Sequence, residues 1–402
     1  MVERSQRERL FAAMVATVAN KGYEATRVAD LLELSGVSRS AFYEHFADKQ
    51  ACFLAAVKAL MGPTLETIAR GDEQPLGTER ARKAFDAFIK MIVDQPAAAR
   101  MCLVEIYAAG PEAVEAVDRT MDVFGKFTEQ TLAQMPGRDG MPREIVRGII
   151  GGLRKTIHTR LYRGEEAELT ELAPQMWEWG LSYLPPPARL RKPRRRAENG
   201  GPRPQGYDQA ERLLRAVAAT VAELGYPATT VGEIAARAQM SLSTFYAHFD
   251  SKEEAMLAAV DSGSAQMLAT TLPAFRRGHD WPHAVRSAFG AMFAFGAAEP
   301  EFTQLGTVEV YAAGKRALEQ RDRVMEGLEA LLAPGYERFP GAPPIAAEAI
   351  GGAIYSLIYD QVKARGPESL PQIAPLATYM TLAPFVGAHE ACLVANSDGR
   401  GH

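Results

Sequence analysis

Hydroxyl, imidazole and basic side chains gather in one short stretch near the start of the chain, Ser38-Arg39-Ser40-Ala41-Phe42-Tyr43-Glu44-His45-Phe46, followed by Asp48-Lys49. Ser38 is a favourable N-cap, so the stretch predicts a short helix. Phe42 and Phe46 are four residues apart and share a face that can be buried. Ser40, Tyr43 and His45 fall on other faces, where their hydroxyl and imidazole groups can form hydrogen bonds with a partner.

The same pattern returns 203 residues later, as Ser241-Leu242-Ser243-Thr244-Phe245-Tyr246-Ala247-His248-Phe249, followed by Ser251-Lys252. An ungapped alignment of residues 7–57 with residues 210–260 gives 24 identities in 51 positions. A later block, residues 104–110, recurs as residues 308–314. The sequence therefore predicts the duplication of a whole module of about 200 residues, not a solenoid of short repeats.

The elements that position the first stretch follow from helical spacing of apolar residues. Residues 7–20 predict a first helix, which Gly22 ends. Thr26 is expected to cap a second helix, which Gly36 ends before the Ser38 helix begins. A helix, a short glycine-containing turn and a second helix have the spacing of a helix-turn-helix unit.

Later segments of the first repeat also show helical periodicity, and prolines stand at or near their ends, where they are tolerated. No segment alternates with a period of two over the length of a strand, so the chain is predicted to be all-α. The predicted segments are 79–95, 98–109, 111–135, 142–163 and 169–184.

The composition narrows the class of protein. The chain has 402 residues, of which 47% are hydrophobic and 23% charged, with a formal net charge of -4. It contains no run of about 18 uncharged apolar residues, so no membrane span is expected. The charged N-terminus does not resemble a secretory signal. Cys52, Cys102 and Cys392 show no metal-type spacing, which favours a reducing cytoplasm.

Residues 185–206 interrupt the helical pattern with prolines and glycines. They carry seven basic residues and one acidic residue, so this segment has a charge of +6 and the rest of the chain sums to -10. The segment is interpreted as a solvated linker. It is either a simple tether or a tether that also contacts phosphates.

Taken together, the motifs of both halves resemble the TetR family of bacterial transcription regulators. The resemblance rests on a first helix ending in Gly-Tyr, a Gly-Val-Ser turn, the Phe-Tyr-x-His-Phe pattern and a lysine opening the fourth helix. It covers nearly the whole chain twice, whereas the family usually has one module per chain. The resemblance implies, in each module, a three-helix DNA-binding domain followed by a helical-bundle domain for ligand sensing and dimerisation. The predicted domains are residues 1–50 and 51–184, the linker 185–206, residues 207–253 and 254–388, and a flexible tail at 389–402.

The family's recognition helix enters the major groove of double-stranded DNA, which implies a set of contact residues in each module. Hydroxyl groups suit positioning contacts, and a guanidinium can bind the edge of a guanine. Packing of the tyrosines against the first helix and structural capping by the histidines remain alternatives. The predicted DNA-binding residues are Arg27, Ser38, Arg39, Ser40, Tyr43, His45 and Lys49, and in the second module Thr230, Ser241, Ser243, Thr244, Tyr246, His248 and Lys252.

The second module departs from the first at two positions of this unit. Gln239 stands in place of Gly36, and Leu242 stands in place of Arg39. Residues 1–57 carry seven basic and seven acidic groups, whereas residues 207–261 carry four basic and eight acidic groups. The second unit is therefore expected to bind DNA weakly. Alternatively, it serves only in assembly or ligand sensing. Two chains must then combine to present two helix-turn-helix units that can bind DNA.

The remaining helices resemble the family's sensor domain, and an apolar or amphipathic small molecule is the expected effector. For each candidate pocket residue, ordinary core packing is the favoured explanation, because aromatic and methionine side chains on buried helix faces need no ligand. The candidates are Met91, Cys102, Tyr107, Phe124 and His158 in the first module, and Phe293, Phe302, Tyr311, Met325 and Tyr355 in the second.

Two glycine-containing helices, near 143–163 and 344–365, resemble the family's dimerisation helices. Glycines there (Gly148, Gly151, Gly152, Gly351 and Gly352) would allow close helix approach, and each costs about 1 kcal/mol relative to alanine. If the two modules pair through these helices, one chain is a pseudo-dimer, and a homodimer of chains is the alternative. The operator of the pseudo-dimer would be an imperfect palindrome, because its two halves differ. Its half-sites would lie about one or two helical turns apart, each turn roughly 34–36 Å.

An enzyme is the remaining alternative. No nucleophile elbow, Walker loop or dinucleotide fingerprint occurs in a supporting context. His279, Asp280 and His283 form the only local cluster of potential ligands in the sequence, and it lacks a counterpart in the first repeat. Neither a metal nor a cofactor is therefore expected. The sequence favours a cytoplasmic, ligand-controlled repressor that associates with the nucleoid when it binds DNA.

Overall fold

The computed structural model describes residues 5–70, 78–193 and 208–397, and these residues form helices and connecting turns without a strand. None of the helices in this part of the chain is long and apolar enough to cross a membrane. The α-helices of the first repeat are α1 (Gln6–Ala25), α2 (Val28–Ser35), α3 (Arg39–His45), α4 (Lys49–Arg70), α5 (Thr78–Asp94), α6 (Pro96–Leu103), α7 (Pro111–Ala133), α8 (Arg143–Arg163) and α9 (Leu169–Leu181).

The second repeat follows the same order of helices, with one additional short helix, α17. They are α10 (Gln209–Leu224), α11 (Val231–Ala238), α12 (Leu242–His248), α13 (Lys252–Arg276), α14 (Trp281–Ala298), α15 (Pro300–Thr307), α16 (Lys315–Glu329), α17 (Ala333–Arg338), α18 (Ala346–Arg365) and α19 (Ala374–Asn396). The all-α prediction is confirmed. Short 3-10 helices follow α6 and α15, at Glu105–Ala109 and Glu309–Tyr311.

The chain divides into two compact units, Met1–Trp177 and Glu178–His402. In the first unit, α1 to α3 form the three-helix domain and α4 to α8 follow it. The boundary lies inside α9, so residues 178–193 belong to the second unit although they belong to the first repeat in sequence.

Local sequence explains the start of the first domain. Ser5 and Glu8 form a capping box at the beginning of α1. Gly22, at φ 78°, breaks the helical geometry, and the chain then continues as a last turn to Ala25. The aromatic ring of Phe42 is fully buried and lies 5.8 Å from the ring of Phe46, as their four-residue spacing predicts.

The expected capping role of Thr26 is wrong. Its hydroxyl donates to the Gly22 carbonyl at 2.7 Å, so it closes α1. Asp30 takes over the cap of α2, because its carboxylate accepts from the Arg27 N–H at 2.7 Å. An acidic residue three positions into a helix reaches back to the free N–H groups in this way.

The turn between α2 and α3 has the same backbone in both repeats despite its different sequence. Gly36 ends α2 at φ 63°, and Gln239 ends α11 at φ 57°. Within the described ranges, Gln239 is the non-glycine residue with a positive φ. This conformation costs a residue with a side chain about 1–2 kcal/mol, so packing of the second unit must hold it in place.

The predicted linker is partly structured where the structure describes it. The Asn396 side chain accepts from Arg191 N at 2.7 Å and donates to Arg189 O at 3.2 Å. Residues 194–206 of the predicted linker lie outside the described residues. Helix α19 runs through the stretch assigned to the tail as far as Asn396, with a break in helical geometry at Gly387, and residues 398–402 also lie outside the described residues.

Candidate DNA-binding and effector sites

Helix α3 presents polar side chains to solvent along one face. Ser38, Arg39, Ser40 and His45 are exposed, and Tyr43 is 49% exposed while its ring lies edge-on to Phe42 at 5.2 Å. The Ser38 hydroxyl already accepts from Ala41 N at 3.2 Å as the N-cap. The guanidinium and the phenol are therefore free to reach beyond the surface, as contact with a DNA groove requires.

Two of the predicted contact residues in this unit are engaged internally. The His45 imidazole lies 3.2 Å from the Gln6 amide oxygen, which ties the end of α3 to the start of α1. The Lys49 ammonium donates to Tyr23 O at 2.9 Å and lies 4.1 Å from the centre of the Tyr23 ring. Partial burial lowers the pKa of Lys49. The phosphate contacts assigned to both residues stay predictions.

Helix α12 presents a different surface from the same backbone position. Leu242 and Tyr246 are 52% and 55% exposed. The Ser241 hydroxyl lies 2.8 Å from that of Ser243 and 2.9 Å from that of Thr244, so the three form a local network. An exposed leucine with hydroxyl groups can contact a thymine methyl group, but it lacks the fork that binds guanine.

Some of the predicted DNA contacts in the second unit also form hydrogen bonds within the protein. The Thr230 hydroxyl caps α11 and contacts the Glu233 carboxylate at 2.8 Å, whereas its counterpart Arg27 is exposed. The Lys252 ammonium donates to Tyr226 O and Thr229 O, each at 2.9 Å, as Lys49 does in the first unit. His248 is exposed.

One glutamate in each repeat joins the three-helix domain to the helices behind it. A Glu105 carboxylate oxygen accepts from Tyr23 N at 2.8 Å, and Glu309 accepts from Tyr226 N at 3.1 Å. Both tyrosines follow the glycine that breaks the first helix. Burial raises the pKa of Glu309, while the hydrogen bond from Tyr226 N acts in the opposite direction. We call these two contacts the glutamate links.

The glutamate links start from 3-10 turns that are anchored in the helical bundles. Tyr107, two residues after Glu105, is buried and lies 6.4 Å from the His158 ring on α8. The equivalent Tyr311 lies 6.4 Å from Tyr355 on α18. The Arg321 guanidinium lies 4.8 Å from the Tyr355 ring and 5.2 Å from the Tyr311 ring. These ring contacts connect each of the two turns to the helix behind it, α8 in the first repeat and α18 in the second.

The second unit contains an apolar cavity of about 80 Å³ bounded by α13, α14, α16, α18 and α19. This volume exceeds the roughly 10–15 Å³ that one water requires. Its lining is almost entirely aliphatic, aromatic or methionine side chains, with Glu329 and Thr381 as the exceptions most able to form hydrogen bonds. The Thr381 hydroxyl is buried and has no hydrogen-bond partner among the described residues.

Of the predicted pocket residues, Met325 lines this cavity. Phe293 is buried 5.6 Å from the ring of Phe289, which also lines it. Tyr311 and Tyr355 instead enclose Arg321, and Phe302 lies beneath the Arg215 guanidinium at 5.5 Å.

The candidates in the first unit pack among their neighbours. Phe124 lies 5.8 Å from the ring of Phe88, and Met91 lies 3.9 Å from the Thr64 hydroxyl. Burial raises the pKa of the Cys102 thiol to about 12, which makes it unreactive. The ring of His158 is stacked on that of Tyr162 at 6.1 Å. Their assignment to an effector site remains a prediction.

Sequence reasoning missed the glutamate links and the two polar cavity residues. The repeated Val-Glu-x-Tyr-Ala-Ala-Gly block contained the signal for Glu105 and Glu309, because a charged residue recurs there between buried ones. No comparable signal marks Thr381, because a threonine within an apolar helix usually bonds to its own backbone.

Comparison with known proteins places these elements in context. Residues 10–56 and 213–260 each match the family model described as bacterial regulatory proteins, tetR family. The HTH-type transcriptional regulator YerO of Bacillus subtilis is 29% identical over 72 residues, which are 18% of this chain and 25% of that protein. The chain thus matches about a quarter of the length of this relative.

Solved structures with similar folds each correspond to less than half of the chain. The fatty acid degradation regulator FadR from Bacillus halodurans covers 44% of this chain and 97% of its own, at 17% identity and a TM-score of 0.40. FadR from Bacillus subtilis in complex with stearoyl-CoA covers 43% of this chain and 97% of its own, at 16% identity and a TM-score of 0.39.

The two family matches fall on α1 to α4 and on α10 to α13, the helices that present the exposed surfaces of α3 and α12. The chain therefore contains two helix-turn-helix modules of the kind found in the TetR family of bacterial regulatory proteins, arranged in tandem.

Proposed function

We propose that the protein is an effector-controlled repressor whose two modules pair within one chain and bind an imperfect palindromic operator. The observation that carries this proposal is the pair of glutamate links, Glu105 to Tyr23 N and Glu309 to Tyr226 N. They give each three-helix DNA-binding domain the same connection to the helical bundle behind it. We expect the protein to act in the cytoplasm, on the nucleoid.

The end of the first repeat is held within the second unit by contacts with the last helix of the second repeat. The Tyr183 hydroxyl donates to Met380 O at 2.9 Å, and the Tyr379 hydroxyl donates to Leu184 O at 2.6 Å. Both tyrosine side chains are fully buried. This segment is therefore a fixed part of the second unit, although it belongs to the first repeat in sequence.

The cavity of the second unit is the proposed effector site. Its apolar lining favours an apolar or amphipathic molecule. Glu329 and Thr381 would contact a hydrogen-bond donor on that molecule, such as a hydroxyl or an ammonium group. Binding there would displace α18, which carries Tyr355. Through the contact between Tyr355 and Tyr311, this movement would also displace Glu309 and the three-helix domain that it contacts.

Repression requires that the effector change the spacing of the two recognition helices. A coupling free energy of about 1–3 kcal/mol is typical of such regulation and changes affinity by a factor of about 5–150. A shift of that size is enough to release a regulator from adjacent major grooves without unfolding either module.

The effector proposal can be tested with small-molecule libraries in a thermal-shift screen, followed by measurement of operator affinity. Compounds that bind the cavity should release DNA. Thr381→Val, which keeps the size of the side chain, should weaken compounds with a polar group by about 1–3 kcal/mol and leave wholly apolar compounds unaffected. Compounds that bind tightly and leave operator affinity unchanged would rule out the mechanism.

A second candidate function follows from the chemistry of α12. Its exposed Leu242 and the acidic balance of residues 207–261 also suit an assembly or sensing module that does not read DNA. Two chains would then combine to present two copies of α3. The number of chains on one operator separates the two candidates, because the pseudo-dimer needs one chain and the assembly module needs two.

A further inference from the structure

The turn between α13 and α14 brings two imidazoles to one carboxylate. The Asp280 oxygen Oδ1 lies 2.8 Å from His283 Nδ1, and the other oxygen, Oδ2, lies 3.4 Å from His279 Nε2. The two imidazole rings lie 4.1 Å apart between centres. Within the described residues, these three form the group of potential metal ligands, with all donor atoms within 4.8 Å of one another.

Helix capping explains only part of this arrangement. Asp280 is the N-cap of α14 and accepts from His283 N at 2.8 Å. That role needs one carboxylate oxygen and no imidazole. The carboxylate therefore has an imidazole nitrogen near each of its two oxygens.

The separations suit a divalent transition metal. Imidazole nitrogen and carboxylate oxygen bind Zn²⁺ at about 2.0–2.2 Å, so two ligand atoms of one ion are at most about 4.4 Å apart. The separations of 2.8 and 3.4 Å already satisfy this limit. The remaining adjustment falls on His279, whose side chain is 64% exposed and can move.

The backbone around these residues is held firmly. The Trp281 ring is buried, and its Nε1 donates to Leu331 O at 3.1 Å. A Cβ at Gly278 would collide with the backbone of Ala284, so the turn lies directly against the first turn of α14. A site on such a rigid element keeps its ligands in place before the ion arrives.

We propose that His279, Asp280 and His283 form a binding site for a divalent transition metal ion such as Zn²⁺, Ni²⁺ or Cu²⁺, completed by water. Such a clip would fasten the α13–α14 turn. Helix α14 also carries Phe289 and Met292 of the cavity wall, so the ion would stabilise that wall. This inference does not depend on the proposed function.

The test is equilibrium dialysis of the full-length protein, free of any affinity tag, against Zn²⁺. We expect one ion per chain and a rise in the unfolding temperature that grows with free Zn²⁺, as binding to the folded state alone requires. Asp280→Asn keeps a good N-cap residue, and His279→Gln alters an exposed side chain, so both variants should fold. His389→Gln, at an exposed histidine on α19, is the matched control.

Asp280→Asn and His279→Gln should each weaken binding by at least about tenfold, since even changes outside the ligand set cause 10- to 100-fold losses. His389→Gln should bind as the unaltered protein does. The proposal is overturned if the unaltered protein takes up no Zn²⁺, or if the Asp280 and His279 variants each lose less than tenfold in affinity. Circular dichroism without metal confirms that the variants are folded.

Discussion

At the scale of single residues, Arg39 and Leu242 occupy the same position in the two repeats and offer opposite chemistry to DNA. Both stand at the first residue of an exposed seven-residue helix capped by a serine. A guanidinium can form two hydrogen bonds with guanine, whereas a leucine can only contact an apolar group such as the thymine methyl. One chain would therefore read two unlike half-sites.

Exchanging these two residues should exchange the base preferences. Arg39→Leu should abolish a guanine preference in the first half-site at a cost of about 1–3 kcal/mol. Leu242→Arg should introduce that preference in the second half-site and add a cation to an acidic unit. Sequencing of operators selected by each variant gives the result, and unchanged half-site preferences would show that position 39 does not read a base.

Lys49 tests whether a predicted phosphate contact is instead structural. The ammonium donates to Tyr23 O and lies over the Tyr23 ring, so Lys49→Met should lower the free energy of unfolding by about 1–3 kcal/mol. The dependence of DNA affinity on salt should stay unchanged, because no phosphate contact is lost. Chemical denaturation and salt titration give the two values. A salt slope lower by about one unit would instead assign the residue to phosphate binding.

At the scale of helices and turns, the glutamate links connect each three-helix DNA-binding domain to the helical bundle that follows it. They meet the chain where Gly22, at φ 78°, interrupts α1 and Gly225, at φ 79°, ends α10. The N–H of the following tyrosine donates to the glutamate in each case. A buried N–H without an acceptor costs free energy. The link is therefore both a structural necessity of the break and a point where the bundle can influence the reader.

Removing the carboxylate of Glu105, which accepts from Tyr23 N, should destabilise the first three-helix domain. Glu105→Met deletes the carboxylate, so the Tyr23 amide should exchange its hydrogen faster and the stability should fall by about 1–3 kcal/mol. Glu105→Gln keeps an acceptor oxygen and serves as the control. Hydrogen exchange measured by mass spectrometry separates the two variants, and equal protection of residue 23 in both would mean that the link is not formed in solution.

We predict that residue 351 on α18 must be a glycine because the Glu329 side chain of the same module packs against it. A Cβ there would collide with the Glu329 carboxylate, whereas a Cβ at Gly290 on α14 would meet nothing within 4 Å. Gly290→Ala should therefore stabilise the protein by about 0.5–1 kcal/mol, the usual gain in a helix. Gly351→Ala should lose that gain or destabilise.

The double variant Gly351→Ala with Glu329→Ala separates local crowding from other causes. If the collision is the reason, the double variant should be more stable than the sum of the two single changes predicts. Thermal and chemical unfolding of all four proteins complete this cycle. Additive effects would return Gly351 to the role first inferred from sequence, close approach between paired helices.

The sequence was sufficient for elements whose pattern is local. The spacing of Phe42 and Phe46 predicted the buried face of α3, and Gly36 predicted the end of α2. It was insufficient where distant segments decide the outcome. Thr26 lies next to α2 in sequence, but its hydroxyl is used by Gly22 O. The acceptor for Tyr23 N comes from residue 105, 82 positions away, and no local pattern indicates that pairing.

At the scale of the whole molecule, duplication has produced two modules that share a backbone plan but differ in chemistry. The first helix-turn-helix segment, residues 1–57, has balanced charge, and the second, residues 207–261, has a charge of -4. Residues 189 and 191 of the basic linker hydrogen-bond to Asn396 on α19. Fusion thus permits an asymmetry that two identical chains cannot have, and the proposed function predicts an asymmetric operator from it.

Selection of genomic DNA fragments by the purified full-length protein at moderate salt, with the mass of each complex measured, tests this account most directly. The account predicts an imperfect palindrome bound by a single chain of 43.7 kDa. A perfect palindrome bound by two chains would contradict it and assign the second module to assembly. An absence of enriched fragments would contradict any role in operator recognition.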